Sequence, residues 1–194
     1  SEIFDSESLA NRIPIIFWIA FLLLLTIVGL PITFLIFSST SDKGWLLSKP
    51  LGLLILGFSV WILCSFQLVE FSRDTIFSVL IAQLIFSLFL IVKFWDYFAK
   101  ILLKNWKLFI SFECLFMIAF LAFILIRMLN PDLWHPFRGG EKPMDFAYFN
   151  AVIKSTSMPP YDPWFSGGYM NYYYFGHFLT AMITKSLGIL PEIA

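Results

Sequence analysis

The 194-residue chain is 59% hydrophobic and 20% aromatic, carries 13% charged residues, and has a formal net charge of zero. Such a high apolar share beside so few charges lies outside the range of soluble globular domains and identifies an integral membrane protein. Its basic residues are scattered, so no electrostatic footprint for a nucleic acid exists and that class of partner is set aside.

The chain opens on the polar stretch SEIFDSESLANR, which has no initiating Met and neither the basic start nor the small-residue cleavage site of a signal peptide. A fragment or processed chain is expected. Cys64 and Cys114 both lie in apolar runs, where cysteine behaves as a small hydrophobe, and no metal-ligand spacing surrounds either.

Spanning a bilayer takes about 20 helical residues, because no backbone group can be left unpaired in hydrocarbon. Four runs qualify readily: Ile13 to Phe37, Leu51 to Val69, Thr75 to Phe94 and Leu108 to Leu129. A fifth, Gly168 to Leu187, is more polar but long enough, and about five transmembrane helices are expected. Pro31 is placed to end or kink the first. The fold class is all-α and polytopic, divided as 1–129 (four-helix membrane region), 130–167 (long loop) and 168–194 (fifth membrane helix and the start of a further region).

Lys43 and Lys49 fall between the first two runs, and Lys93, Lys100, Lys104 and Lys107 surround the third connection, whereas the second holds only Arg73. The lysine-rich loops are therefore expected in the cytoplasm and the segment from Asn130 to Gly167 outside it. Loops of this length inside a compact architecture are usually functional. Within it, MDFAYFNAVIKS (144–155) places Tyr148, Phe149, Val152 and Ile153 on one broad face opposite Lys154, which predicts a short amphipathic helix at the membrane surface. The adjoining MPPYDPWFSGG is turn and extended structure, since each proline biases its predecessor away from helix.

The densest charged cluster is RGGEKPMD. With Pro143 opening the surface helix, Asp145 falls in its first turn, favoured by the helix dipole, and Glu141 precedes it. Two carboxylates at an interface can bind a hard cation or take a proton from an attacking hydroxyl, and equally they can cap the helix and face water. Asp132 and His135 in NPDLWHPF are secondary candidates, an interfacial turn being the alternative. Glu113 lies inside the fourth run, where a carboxylate is costly, and a structural role is expected; Arg127, near the other end of that run, suits anionic headgroups or a substrate phosphate.

In the fifth run, Tyr173, His177, Thr180 and Thr184 stack on one helical face, a polar stripe that should turn toward protein. Tyr172, Tyr173 and Tyr174 are each about 100° apart, so one or two join the aromatic belt and another faces inward. For His177, packing with a hydrogen bond and a role in a site both stand open. No nucleophile triad, phosphate loop or Cys-His pair occurs, and hydrolase and nucleotide-binding classes lack support.

The segments NPD, GGEKPMDFAYFNAVIKS and MPPYDPWFSGGYMNYYYFG resemble the signature region of the YYY-type multispanning proteins of prokaryotes, the DUF2298 family, densely from Asn130 to Gly176 and more loosely before it. That family is similar to the GT-C membrane glycosyltransferases, which take sugar from a polyprenyl-phosphate donor and carry a catalytic acidic residue in an early extracytoplasmic loop. The resemblance implies a GT-C-like N-terminal part in a prokaryotic plasma membrane, embedded in membrane lipid. Asp145 is then the catalytic acid or base, with Glu141 as the alternative, and a divalent cation (Mg or Mn) held by Glu141 and Asp145 if one is used. Arg138 and Lys142 would stabilise the departing lipid phosphate, while Asn171, Tyr173 and His177 would line the substrate floor. Members of the family are longer, so this chain is expected to be an N-terminal fragment that is inactive alone. The competing expectation is a non-catalytic membrane module that binds lipid or partner subunits.

Overall fold

The computed structural model describes residues 4–130, 140–171 and 173–194. Among them seven helices succeed one another: α1 (Leu9–Arg12), α2 (Pro14–Ile36), α3 (Trp45–Ser65), α4 (Arg73–Lys93), α5 (Trp95–Leu129), α6 (Lys142–Lys154) and α7 (Tyr174–Leu187). Among the described residues β structure is limited to one antiparallel bridge, Tyr161 with Tyr169. Helices α2 to α5 are long and apolar enough to cross a membrane. The chain is an all-α polytopic membrane protein.

Helices α2 and α3 form an antiparallel hairpin that approaches more closely than side chains would allow. A Cβ on Gly29 would lie 2.0 Å from the Ser48 carbonyl oxygen, and one on Gly52 would lie 2.1 Å from that of Leu25. Small residues at such a crossing let backbones touch, which is how membrane helices gain packing without a hydrophobic drive between them. Pro31 sits inside α2, which runs on past it to Ile36. Helix α4 packs beside the pair, where Ser87 Oγ donates to the Val28 carbonyl at 2.8 Å.

The lysine-rich end is closed by a small aromatic cluster of Phe34, Phe98, Ile101 and Phe109, with Trp45 against it. Trp45 stacks on Phe109 with ring centroids 4.2 Å apart. The third connection differs from expectation: α4 stops at Lys93 and α5 starts at Trp95, so Lys100, Lys104 and Lys107 belong to a helix of 35 residues. At about 1.5 Å per residue it is about 52 Å long, well beyond the hydrocarbon core of about 30 Å. WDYFAKILLKNWK has helical amphipathicity of its own, burying Phe98 and Ile101, which is why the chain continues as helix where lysines suggested a loop.

The larger core lies at the opposite end, where α6 and α7 join α2, α3 and α4. It contains Leu25, Leu56, Val60, Phe71, Ile76, Val152, Phe178 and Met182. The surface helix expected at 144–155 is present as α6, with Val152 and Ile153 buried, but its apolar face is taken by this core. The fifth run differs more. It is helical for only 14 residues, about 21 Å. Both ends of α7 meet the same end of the bundle. Tyr174 Oη accepts from Trp61 Nε1, late in α3, and the Gly188 carbonyl accepts from Asn11 Nδ2, just before α2. Tyr173 and Gly188, both in the left-handed backbone region, bound the helix.

Candidate functional site at the α6/α7 end

The start of α6 sets the site. Lys142 and Pro143 occupy its first two positions, where proline's missing N–H costs nothing, and Asp145 lies in the first turn, favoured by the helix dipole. The Glu141 side chain, at the N-cap position, makes no capping hydrogen bond and is exposed. Across from it, α7 presents His177. The His177 Nε2 atom lies 3.6 Å from Asp145 Oδ1, too long for a hydrogen bond but close enough for an ion pair when the imidazole is protonated. Nε2 is buried and has no hydrogen-bond partner. Edge-on rings of Tyr148 and Tyr173 flank the imidazole, at centroid distances of 6.1 and 6.3 Å.

Asp145 and His177 open into a cavity of about 550 Å³. Its polar wall continues along α7 through Thr180 and Thr184, the stripe anticipated from spacing. Both hydroxyls donate back to their own helix, Thr180 to Gly176 and Thr184 to Thr180, leaving acceptor lone pairs for the cavity. Arg127 and Lys142 bring positive charge, and Trp18, Phe123, Ile126, Phe146 and Phe149 form an apolar wall. The wall contributed by α5 is thinly supported. Beyond Glu113 this helix is largely exposed, Phe123 at 72%. The cavity is thus polar and charged at one side and opens along a lipid-facing helix at the other.

The expected residues divide clearly. Asp145, Lys142 and His177 meet in the cavity, together with Arg127. Glu141 and Asn171 are exposed and do not line it, nor does Tyr173, whose ring lies edge-on to His177. Arg138, Asp132 and His135 lie outside the described residues. Of the three tyrosines, Tyr174 is tied to Trp61, Tyr173 is 68% exposed, and Tyr172 lies outside the described residues. Among the described residues no group of three His, Cys, Asp or Glu side chains converges: Asp145, His177 and Glu192 all line the cavity but do not meet at one point. That donor set does not fit a hard cation on its own.

Two residues of this end escaped sequence reasoning. Trp18 lines the cavity from α2. Lys185 is buried: its Nζ donates to the carbonyls of Phe71 and Ser155 and sits 4.3 Å from the Phe71 ring centroid. It ties α7 to the α3–α4 connection and to the end of α6. Burial pushes the Lys185 ammonium down to about 8, against the opposing pull of Cys64 and Glu70. The available signal was a lone lysine between apolar stretches, in the order TKSLGILP, with no nearby route to water. Glu113, by contrast, has the structural role expected of it. It accepts from Trp45 Nε1 at 2.8 Å and binds Lys49 Nζ at 2.6 Å through both oxygens.

Four membrane-length helices and an amphipathic site at one end define a multispanning membrane protein. Residues 55–194 match the family described as uncharacterized membrane protein (DUF2298), and the chain belongs to it. Comparison with curated proteins and with solved structures gives no match.

Proposed function

We propose that this chain is the N-terminal part of a GT-C-type membrane glycosyltransferase that uses a polyprenyl-phosphate sugar donor, with Asp145 as the catalytic base. The observation that carries the reading is the meeting of Asp145 and His177 in a cavity with cations on its polar side and a lipid-facing apolar wall. An amphiphilic donor needs both: a place for its phosphate near Arg127 and Lys142, and a path for its chain along α5.

In this mechanism an acceptor hydroxyl attacks the anomeric carbon, the bond from that carbon to the phosphate oxygen breaks, and polyprenyl phosphate departs. The hydroxyl proton passes to Asp145, and the charge left on the phosphate is met by Arg127 and Lys142. His177 is a positioning residue for the carboxylate, and Tyr173 supplies a ring edge beside it. No step requires a covalent intermediate on the protein. The α6/α7 end would face outward from a prokaryotic plasma membrane, in keeping with the lysines at the other end.

Asp145→Asn in the full-length protein tests this by following sugar transfer from a polyprenyl-phosphate donor. A loss of about 10²- to 10⁴-fold is expected with an unchanged melting transition, the range for removing a positioned acid–base group. Unchanged turnover removes Asp145 from the role. The second reading, a non-catalytic module that binds lipid, draws on the exposed apolar wall of α5. It predicts that the donor lipid is bound while no sugar is transferred by the wild-type full-length protein.

A further inference from the structure

A second cavity lies at the opposite end of the bundle, between the α2–α3 connection and the first turns of α5. It has a volume of about 380 Å³. Tyr97, Lys100, Ile101, Lys104 and Asn105 line it from α5, and Lys43 lines it from the connection. The α5 positions follow the spacing of one helical face, so the lysines are turned together onto the connection, leaving Leu103 78% exposed elsewhere on the helix.

The charge in this cavity is one-sided. Among the described residues no carboxylate lies within ion-pair distance of Lys43, Lys100 or Lys104, and none lines the cavity. The nearest acidic residue in sequence to Lys43, Asp42, is occupied by the backbone N–H groups of Gly44 and Leu46. Lys43 Nζ donates to the Ser38 carbonyl, which holds its ammonium at the connection. The neighbouring tryptophans, Trp95 and Trp106, are exposed at 62% and 52%, the behaviour of interfacial anchors. Three ammonium groups around a hollow beside two exposed tryptophans, with no ion-paired carboxylate among the described residues, favour an anion, and a bilayer headgroup at the depth such tryptophans mark supplies one.

We propose that this cavity binds the phosphate headgroup of an anionic phospholipid from the leaflet at the lysine-rich end. Basic pockets between membrane helices have this use generally. The site is separate from the Asp145 cavity and stands whether or not that cavity is catalytic.

The full-length protein in nanodiscs of equal phosphatidylglycerol and phosphatidylcholine, released into native mass spectrometry, tests it through the ratio of the two lipids retained. Lys100→Gln with Lys104→Gln removes two charges from the cavity. Lys93→Gln with Lys107→Gln removes two from the same end, at side chains that sit over Phe89, Phe94 and Trp106 instead. Each cavity lysine should contribute about fivefold, so the first pair should lower phosphatidylglycerol preference by about 25-fold and the second by about twofold or less. Equal effects of the two pairs, or no preference in the wild type, overturn the proposal. Competition by inorganic phosphate at millimolar concentration should leave the lipid bound; its displacement would mean a free-anion site and would also overturn it. Melting curves of both pairs, expected to coincide, keep a folding defect from imitating lipid loss.

Discussion

At the residue scale, Lys185 is the most exacting contact in the protein. A buried ammonium is tolerated only when its donors are met, and here two backbone carbonyls and an aromatic face meet them. Its folded value of about 8, against an ordinary 10.5, fixes a direction. Below pH 8 the folded and unfolded chains both hold the proton and the burial cost is borne in full. Between about 8 and 10.5 the unfolded chain holds more protons, so stability rises with pH by up to about 3 kcal/mol. In detergent, the melting transition of the wild type should therefore gain on that of Lys185→Met across this window. Parallel curves for the two proteins would show that Lys185 does not titrate with folding. Asp145 differs in kind: its side chain is half exposed, with His177 Nε2 3.6 Å away.

At the element scale, the α2–α3 crossing and the start of α7 make opposite predictions for the same substitution. Gly29→Ala or Gly52→Ala drives a methyl into a carbonyl oxygen of the facing helix and should cost about 1–3 kcal/mol in unfolding measurements. Gly176→Ala, where an added Cβ meets nothing within 4 Å, should gain about 0.5–1 kcal/mol by restricting the unfolded chain. A loss at Gly176 matching that at Gly52 would contradict the packing. Elements were the most readable level in the sequence. The four long helices arise from unbroken apolar runs, and α6 from its periodicity within two residues at its start. Three boundaries were not legible there, the first being α3, which begins at Trp45 and ends at Ser65 where Leu51 to Val69 was expected, so that Lys49 and Pro50 lie inside the helix. Helix α5 continues through lysines because Phe98 and Ile101 are buried at helical spacing, and α7 ends short because its C-terminal turn is capped at Gly188 and held by Asn11.

At the scale of the whole molecule, α5 is the loosely held part. It is fastened near its lysine-rich end by the aromatic cluster and by Glu113, which reaches Lys49 and Trp45 on α3, while its far half stands along the Asp145 cavity. Glu113→Ala strands Lys49, whose side chain is 11% exposed, and should cost about 3 kcal/mol. Replacing both members, Lys49→Met with Glu113→Gln, should recover most of that loss, because a pair removed together leaves no uncompensated charge. Equal losses for the single and double variants, measured by thermal unfolding, would show that the pair does not fasten α5.

Composition and local periodicity by themselves determined that this protein is an all-α membrane protein, roughly where its long helices run, and that His177, Thr180 and Thr184 share one helical face. Those properties are local, since the bilayer demands internally paired helices whatever they pack against. Tertiary structure alone decided that α7 returns to the end it came from, that Lys185 is sealed inside, that Glu141 stays out of the cavity while Arg127 enters it, and that lysines of α5 face Lys43. Each depends on which helix faces cross and at what depth. That is settled by packing at points such as Gly29 and Gly52, between residues far apart in the chain.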